Sequence, residues 1–216
     1  MLIAKLLLVV IVSYLLGSIP FGYLVSHRGS KIDIRSYGSG RTGATNVLRT
    51  MGRKAALLVA ALDVVKGVSA VAFAGLVIGT EALTFGTNGM AILFAQVLAG
   101  LAAVAGHIWP VFLKFRGGRG VATFFGGMIA LCPVAAIFGG EVLIIGAGLS
   151  GFASLGSITG VVGAYALLIP LTFISGFPTE YIVYAVLGSL LITIMHRDNI
   201  KRLLAGKERK LNEKSR

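Results

Sequence analysis

The chain has 216 residues, of which 56% are hydrophobic and 13% charged, and a mean hydropathy of +0.90. Soluble domains carry about a quarter charged residues, so this composition excludes a water-soluble globule and makes lipid the solvent for most of the chain. The net charge of +12, from 20 Lys and Arg against 8 Asp and Glu, fits the cytoplasmic loops of a membrane protein, a demand for anionic partners, or both.

Apolar stretches run over 2–25, 55–79, 89–109, 121–175 and 180–196. The first opens with Lys5 ahead of an apolar run. No small-x-small cleavage site follows, and the run continues through Gly17, Pro20 and Phe21 to Val25, as expected of a retained span rather than a signal peptide. Basic residues gather in segments 27–54, 106–120 and 196–216, which hold every Lys and Arg except Lys5 and Lys66. The breaks near Glu81, Glu141 and Glu180 contain none. The positive-inside rule then predicts three cytoplasmic basic segments, an outside N-terminus, a cytoplasmic C-terminus and an odd number of spans. Residues 121–175 must cross once or three times. Three crossings of ~18 residues, with an outer turn at Glu141 and a tight inner turn at Ser154–Ser157, are feasible. The expected fold is therefore an all-α integral membrane protein of seven transmembrane helices in one transmembrane domain, 1–216, with five spans plus a re-entrant segment as the alternative. The 30 glycines suit closely packed membrane helices.

Three segments carry chemistry. In 37–49, Gly38, Gly40 and Gly43 spell GxGxxG, but no strand precedes them and no βαβ unit surrounds them, so a dinucleotide site is excluded. Glycines still let backbone N–H groups approach an oxyanion, while Ser39, Thr42, Thr45 and Asn46 add polar groups and Arg41 and Arg49 add charge. In 106–123, Lys114, Arg116 and Arg119 fall among Gly117, Gly118 and Gly120, just before a predicted helix start. That combination suits phosphate. In 196–210, His196 and Asn199 share a face where the last span ends, and Ile200, Leu203 and Leu204 predict a short interfacial helix. Asp63 and Lys66, at i and i+3 within the second span, are either a functional pair or a structural one. Cys132 is expected to be a small buried hydrophobe. No Cys/His set, HExxH or GxSxG is present, so neither a metal site nor a nucleophile elbow is expected.

The stretches GSIPFGYLV (17–25), GSGRTGATNVLR (38–49), DVVKG (63–67), GHIWPVFLKFRGGRGVAT (106–123) and HRDNIKRLLAGKERK (196–210) together resemble the bacterial acyl-phosphate:glycerol-3-phosphate acyltransferases, the PlsY type. Members of that family usually carry Asn at the position of Arg41 and Lys at those of Arg116 and Arg119. The resemblance implies transfer of a fatty acyl group from acyl phosphate to the 1-hydroxyl of sn-glycerol 3-phosphate. The products are lysophosphatidate and inorganic phosphate, the first acylation of phospholipid synthesis, made at the bacterial cytoplasmic (inner) membrane from the cytoplasmic side. It implies no cofactor, and as partners only the two substrates and membrane lipids, with no nucleic acid. Under it, Ser39, Arg49, His196 and Asn199 hold the acyl phosphate and its departing phosphate. Gly38, Gly40, Gly43, Thr45, Asn46, Ser154 and Ser157 line the phosphate hollow. Lys114, Arg116, Gly117, Gly118, Arg119 and Gly120 hold glycerol phosphate, and Asp63, Lys66, His107 and Glu208 support the site. The general base is either His196 or a substrate phosphate oxygen. The alternative function is a transporter of a small phosphorylated metabolite, which would place its substrate near the midplane.

Overall fold

The computed structural model describes residues 2–85 and 89–213, with only the backbone of 80–85. The described residues form helices α1 (Leu2–Ser18), α2 (Phe21–Ser30), α3 (Ala44–Met51), α4 (Arg53–Phe85), α5 (Met90–Ile108), α6 (Val121–Leu131), α7 (Pro133–Ser150), α8 (Ala153–Ser175), α9 (Thr179–Met195) and α10 (Arg197–Leu204), with short 3-10 turns at Ile34–Ser36 and Val111–Leu113. Five segments are long and apolar enough to cross a bilayer: 2–30, 53–79, 90–113, 133–150 and 153–175. A sixth is α9 taken with α10, bent by 61° at His196. The seventh apolar helix, α6, has 11 residues. At 1.5 Å per residue it is ~16 Å long, about half the hydrocarbon thickness.

The apolar helices follow the predicted order, but three boundaries move. The outer turn expected at Glu141 is absent, and α7 runs unbroken through that residue. The break falls instead at Cys132, extended at φ −146°, because Pro133 disfavours helical geometry in the residue before it and opens α7 as its first residue. The inner turn lies at Gly151 (φ +75°) and Phe152, so Ser154–Ser157 is the first turn of α8 rather than the turn itself. The break expected near Glu81 comes later: α4 continues through that residue to Phe85 and α5 begins at Met90, with 86–88 outside the described residues.

Small residues bring the helices to backbone contact. A Cβ on Gly67 of α4 would lie 2.2 Å from the Thr123 carbonyl oxygen, and one on Gly126 of α6 would lie 2.1 Å from that of Val64. Nothing bulkier than hydrogen fits either position, which fixes α4 against α6. Farther from the polar end, Tyr184 stacks on Phe124 with centroids 5.2 Å apart and donates its hydroxyl to the Phe124 carbonyl at 2.9 Å. Burial of a tyrosine in this core is thus compensated by a hydrogen bond.

A buried ionic cluster locks the polar ends of these helices together. The Lys66 ammonium lies 2.8 Å from Asp63 Oδ1 and donates to the Ile19 carbonyl at 3.1 Å, at the break between α1 and α2. His107 Nδ1, on α5, lies 3.4 Å from the same carboxylate oxygen and 3.2 Å from Thr123 Oγ1 on α6. All are buried, so removing one partner strands the others without solvent. Asp63→Ala is expected to cost ~3–5 kcal/mol. It should be read as a lower unfolding temperature in detergent, and an unchanged temperature would show that the cluster does not hold the bundle.

Candidate active site

The first basic loop is built around one amide. Asn46, at 2% exposure, directs Nδ2 at the carbonyls of Ile34, Tyr37 and Arg41 (2.9–3.1 Å), while its Oδ1 accepts the Ser39 N–H at 3.0 Å. The loop closes on that amide with Gly38 (φ +56°) and Gly40 (φ +68°) in the left-handed region, where glycine is least strained. Asn46 was expected to line the phosphate hollow; it does line the larger cavity described below, while its amide groups shape the loop that presents Ser39 and Arg41. Gly43 caps α3, and Ala44 and Thr45 begin it.

The second loop folds back on the end of α5. The N–H groups of Gly117 and Gly118 donate to the carbonyls of Ile108 and His107, both at 3.1 Å. A Cβ on either glycine would lie 2.1 Å from His107 atoms, the carbonyl oxygen for one and Nε2 for the other. Their role is packing, not the anion donation predicted for them. Lys114 and Arg116 are exposed and line neither cavity described below. Of the predicted glycerol-phosphate set, only Arg119 and Gly120 reach the site.

The third segment turns back across the first. Glu208 Oε1 accepts from Asn199 Nδ2 (2.6 Å) and Ser154 Oγ (3.0 Å), and Oε2 accepts from Arg202 Nε (2.8 Å). Arg49 Nη2 donates to the carbonyls of Arg209 and Lys210, both at 3.0 Å, and the Leu211 N–H donates to Gly151 at 2.7 Å. Residues 207–211 therefore tie α3, α10 and the α7–α8 turn together. These backbone bonds left no signal in the sequence beyond a basic tail.

Two adjoining cavities result. One, of 440 Å³, has a polar end formed by Ser39, Arg41, Arg49, Arg119, Ser154 and His196, and an apolar arm between α4 and α7 over α6, walled by Ala60, Val64, Phe125, Gly140, Leu143 and Ile144. The other, of 170 Å³, opens beside the polar end among Gly38, Asn199, Arg202, Glu208 and Arg209. Ser39, Arg41, Arg49 and Arg119 line both. Ser157 and Thr45 also face the larger cavity, as do Asp63 and His107 of the ionic cluster. The N-termini of three helices open into that cavity: Gly43–Thr45 of α3, Gly120–Ala122 of α6, and Ala153–Ser154 of α8. Their unpaired first-turn N–H groups favour an anion, and the α8 terminus was missed because its turn was expected two to five residues later.

The electrostatics are one-sided. Among the described residues the side chains of Arg41 and Arg119 make no hydrogen bond or ion pair. Burial, and next the neighbouring Arg41, lower the Arg119 guanidinium to about 10. Burial also lowers Arg49. Of the nearby carboxylates, Asp198 lines the smaller cavity but is exposed beside Arg197, and Asp63 is committed to Lys66 and His107. Burial pushes Glu208 up, but its bonds to Asn199, Arg202 and Ser154 outweigh that and hold it below the usual range. His196 directs Nδ1 at the Ile192 carbonyl (2.8 Å), which accepts only, so the proton sits on Nδ1 and Nε2 keeps its lone pair. Burial, then Arg119, lower His196 to about 4, so it is neutral at pH 7. The arrangement holds concentrated, poorly compensated positive charge at the head of an apolar cavity.

A sequence profile described as glycerol-3-phosphate acyltransferase matches residues 7–206. The chain belongs to the glycerol-3-phosphate acyltransferase family. It is 94% identical over 216 residues, the whole of both chains, to glycerol-3-phosphate acyltransferase 3 of Dehalococcoides mccartyi (strain CBDB1). It is 42% identical over 207 residues, 96% of each chain, to the glycerol-3-phosphate acyltransferase of Halalkalibacterium halodurans. Its fold is similar to the crystal structure of PlsY (YgiH), an integral membrane glycerol 3-phosphate acyltransferase, in its glycerol 3-phosphate form. That similarity has a TM-score of 0.80 at 37% identity and covers 95% of this chain and 94% of that one. This glycerol-3-phosphate acyltransferase is thus an all-helical, multi-pass integral membrane enzyme.

Because His196 binds a proton less readily when folded than when unfolded, it contributes stability that is full above its unfolded value near 6.5 and is lost as pH falls towards about 4. A thermal-unfolding series across that window should show a steeper acid-side loss for wild type than for His196→Gln. Parallel curves would refute the burial of a neutral imidazole.

Proposed function

We propose that the enzyme transfers a fatty acyl group from acyl phosphate to the 1-hydroxyl of sn-glycerol 3-phosphate, yielding lysophosphatidate and inorganic phosphate. The observation that carries this reading is the meeting of three helix N-termini with Arg41, Arg49 and Arg119 at the mouth of an apolar arm. A ligand with an anionic head and a hydrocarbon tail matches that shape, and a second, smaller anion matches the adjoining polar cavity. A transported metabolite would have no use for the apolar arm.

In this reading the acyl chain lies between α4 and α7, and its phosphate sits against Arg49, Ser39 and the α3 and α8 termini. Glycerol 3-phosphate enters the smaller cavity against Arg41, Arg119, Arg202 and Asn199. The 1-hydroxyl oxygen attacks the acyl carbonyl carbon, the bond from that carbon to the phosphate oxygen breaks, and phosphate leaves with the electron pair. The hydroxyl proton passes to a phosphate oxygen or to His196 Nε2, the one imidazole nitrogen with a free lone pair. An acyl phosphate is already activated, so the protein's task is to hold two anions in contact, which oriented cations and helix ends accomplish. Among the described residues Arg119 and Arg41 carry no internal partner, so substrate binding replaces no ion pair seen there. Lys114 and Arg116 act only at a distance, by drawing anions to this face.

The same reading has seven crossings, with α6 as a short one, the N-terminus outside, and the three basic segments in the cytoplasm of a bacterial inner membrane. The basic tail rests on anionic headgroups.

Purified enzyme given synthetic acyl phosphate and glycerol 3-phosphate should release phosphate and form lysophosphatidate. Acyl-CoA in place of acyl phosphate should give no product. Arg49→Ala should abolish turnover while the protein remains folded in detergent. Normal turnover in that variant, or transfer from acyl-CoA alone, would contradict the assignment.

A further inference from the structure

Helix α7 carries four glycines, and they divide by what surrounds them. A Cβ at Gly139 would meet Ala164 Cβ and the Gly160 carbonyl at 2.7 Å, and one at Gly146 would meet Thr159 Oγ1 at 2.8 Å. Those two let α7 lie against α8. A Cβ at Gly140 or Gly148 would have no neighbour within 4 Å among the described residues, and neither glycine has a positive φ. Gly148 is outside the cavity, whereas Gly140 lines its apolar arm beside Leu143 and Ile144, opposite Ala60 and Val64 of α4. Glycine in a helix interior weakens it relative to alanine, so a residue that neither packing nor backbone geometry requires needs another reason. At Gly140 the cavity supplies one: any side chain there would enter the space between α4 and α7.

We propose that Gly140 is a specificity-determining residue, and that the room left by its missing side chain sets how long an acyl chain the enzyme accepts. This rests on the reading that the acyl group occupies the apolar arm. Short chains end before they pass Gly140, while longer ones lie across it and need that space. The arm stays open because α4 and α7 each pack on α6 without an extensive contact with one another.

The test measures kcat/KM for wild type, Gly140→Ala, Gly140→Leu and Gly148→Leu over saturated acyl donors from short to long. The KM for glycerol 3-phosphate is measured in parallel. Pocket methylenes discriminate by about tenfold or more each, so Gly140→Leu should lose at least about tenfold on the longest donor relative to the shortest. Gly140→Ala should lose less, in the same direction. Gly148→Leu, on the same helix, should match wild type, and the KM for glycerol 3-phosphate should not move in any variant. An equal loss at every chain length, or an unchanged length profile, overturns the proposal. Should Gly140→Leu fail to fold, the slope of the Gly140→Ala profile decides, because that change favours the helix. A wild-type enzyme that transfers no acyl group from any donor would instead overturn the functional reading underneath.

Discussion

Positive charge gathered around one half-buried hollow, with few free carboxylates beside it, is the constraint on which this structure depends. Cations are costly to desolvate, and the chain concentrates Arg41, Arg49 and Arg119 around one hollow while the buried acids beside it are used elsewhere and Asp198 stays exposed at the smaller cavity. Asp63 is spent on Lys66 and His107, and Glu208 on Asn199, Ser154 and Arg202. Such a site is poised for anions, and the lowered Arg119 reports the same tension. The tail strap holds the Arg49 guanidinium, while the amide-centred loop and the start of α6 fix the backbone from which Arg41 and Arg119 reach the hollow.

The placement of the site follows from the packing of small residues. Gly67 and Gly126 let α4 and α6 touch, and the cluster of Asp63, Lys66, His107 and Thr123 ties that contact to α5 and to the α1–α2 break. The short α6 begins where the second loop ends, so Arg119 and the α6 N-terminus arrive together. Because α6 is short, the wall between α4 and α7 is left open for an apolar ligand. Charge at one end and hydrocarbon at the other thus come from one packing arrangement.

Much of this was legible in the sequence. Hydropathy located the apolar segments, and the distribution of Lys and Arg separated the loops that build the site from those that do not. Ser39, Arg49, Arg119, Ser154, Ser157 and His196, picked out along the sequence, all line the large cavity. What failed did so for local geometric reasons. A proline, rather than a charge, ends α6, so Glu141 lies inside α7. Gly117 and Gly118 read as anion donors, yet their N–H groups are consumed by the loop itself, and Asn46 lines the cavity with its amide already bonded to its own loop. Lys114 and Arg116 share a glycine-rich segment with Arg119 but leave it before the chain turns inward. Spacing along a loop does not say which residue faces the hollow. The strap formed by the backbone of residues 209–211 was invisible, because carbonyls and N–H groups carry no sequence identity.

The central claim is that one residue from each of three separated segments is needed to hold a single anion. Thermal stabilisation of the purified protein by glycerol 3-phosphate, compared among wild type, Arg41→Ala, Arg119→Ala and Asn199→Ala, tests it most directly. The account predicts a ligand-dependent rise in unfolding temperature for wild type that shrinks sharply in each variant taken alone. A full rise in any one of them would mean that its segment does not share the site.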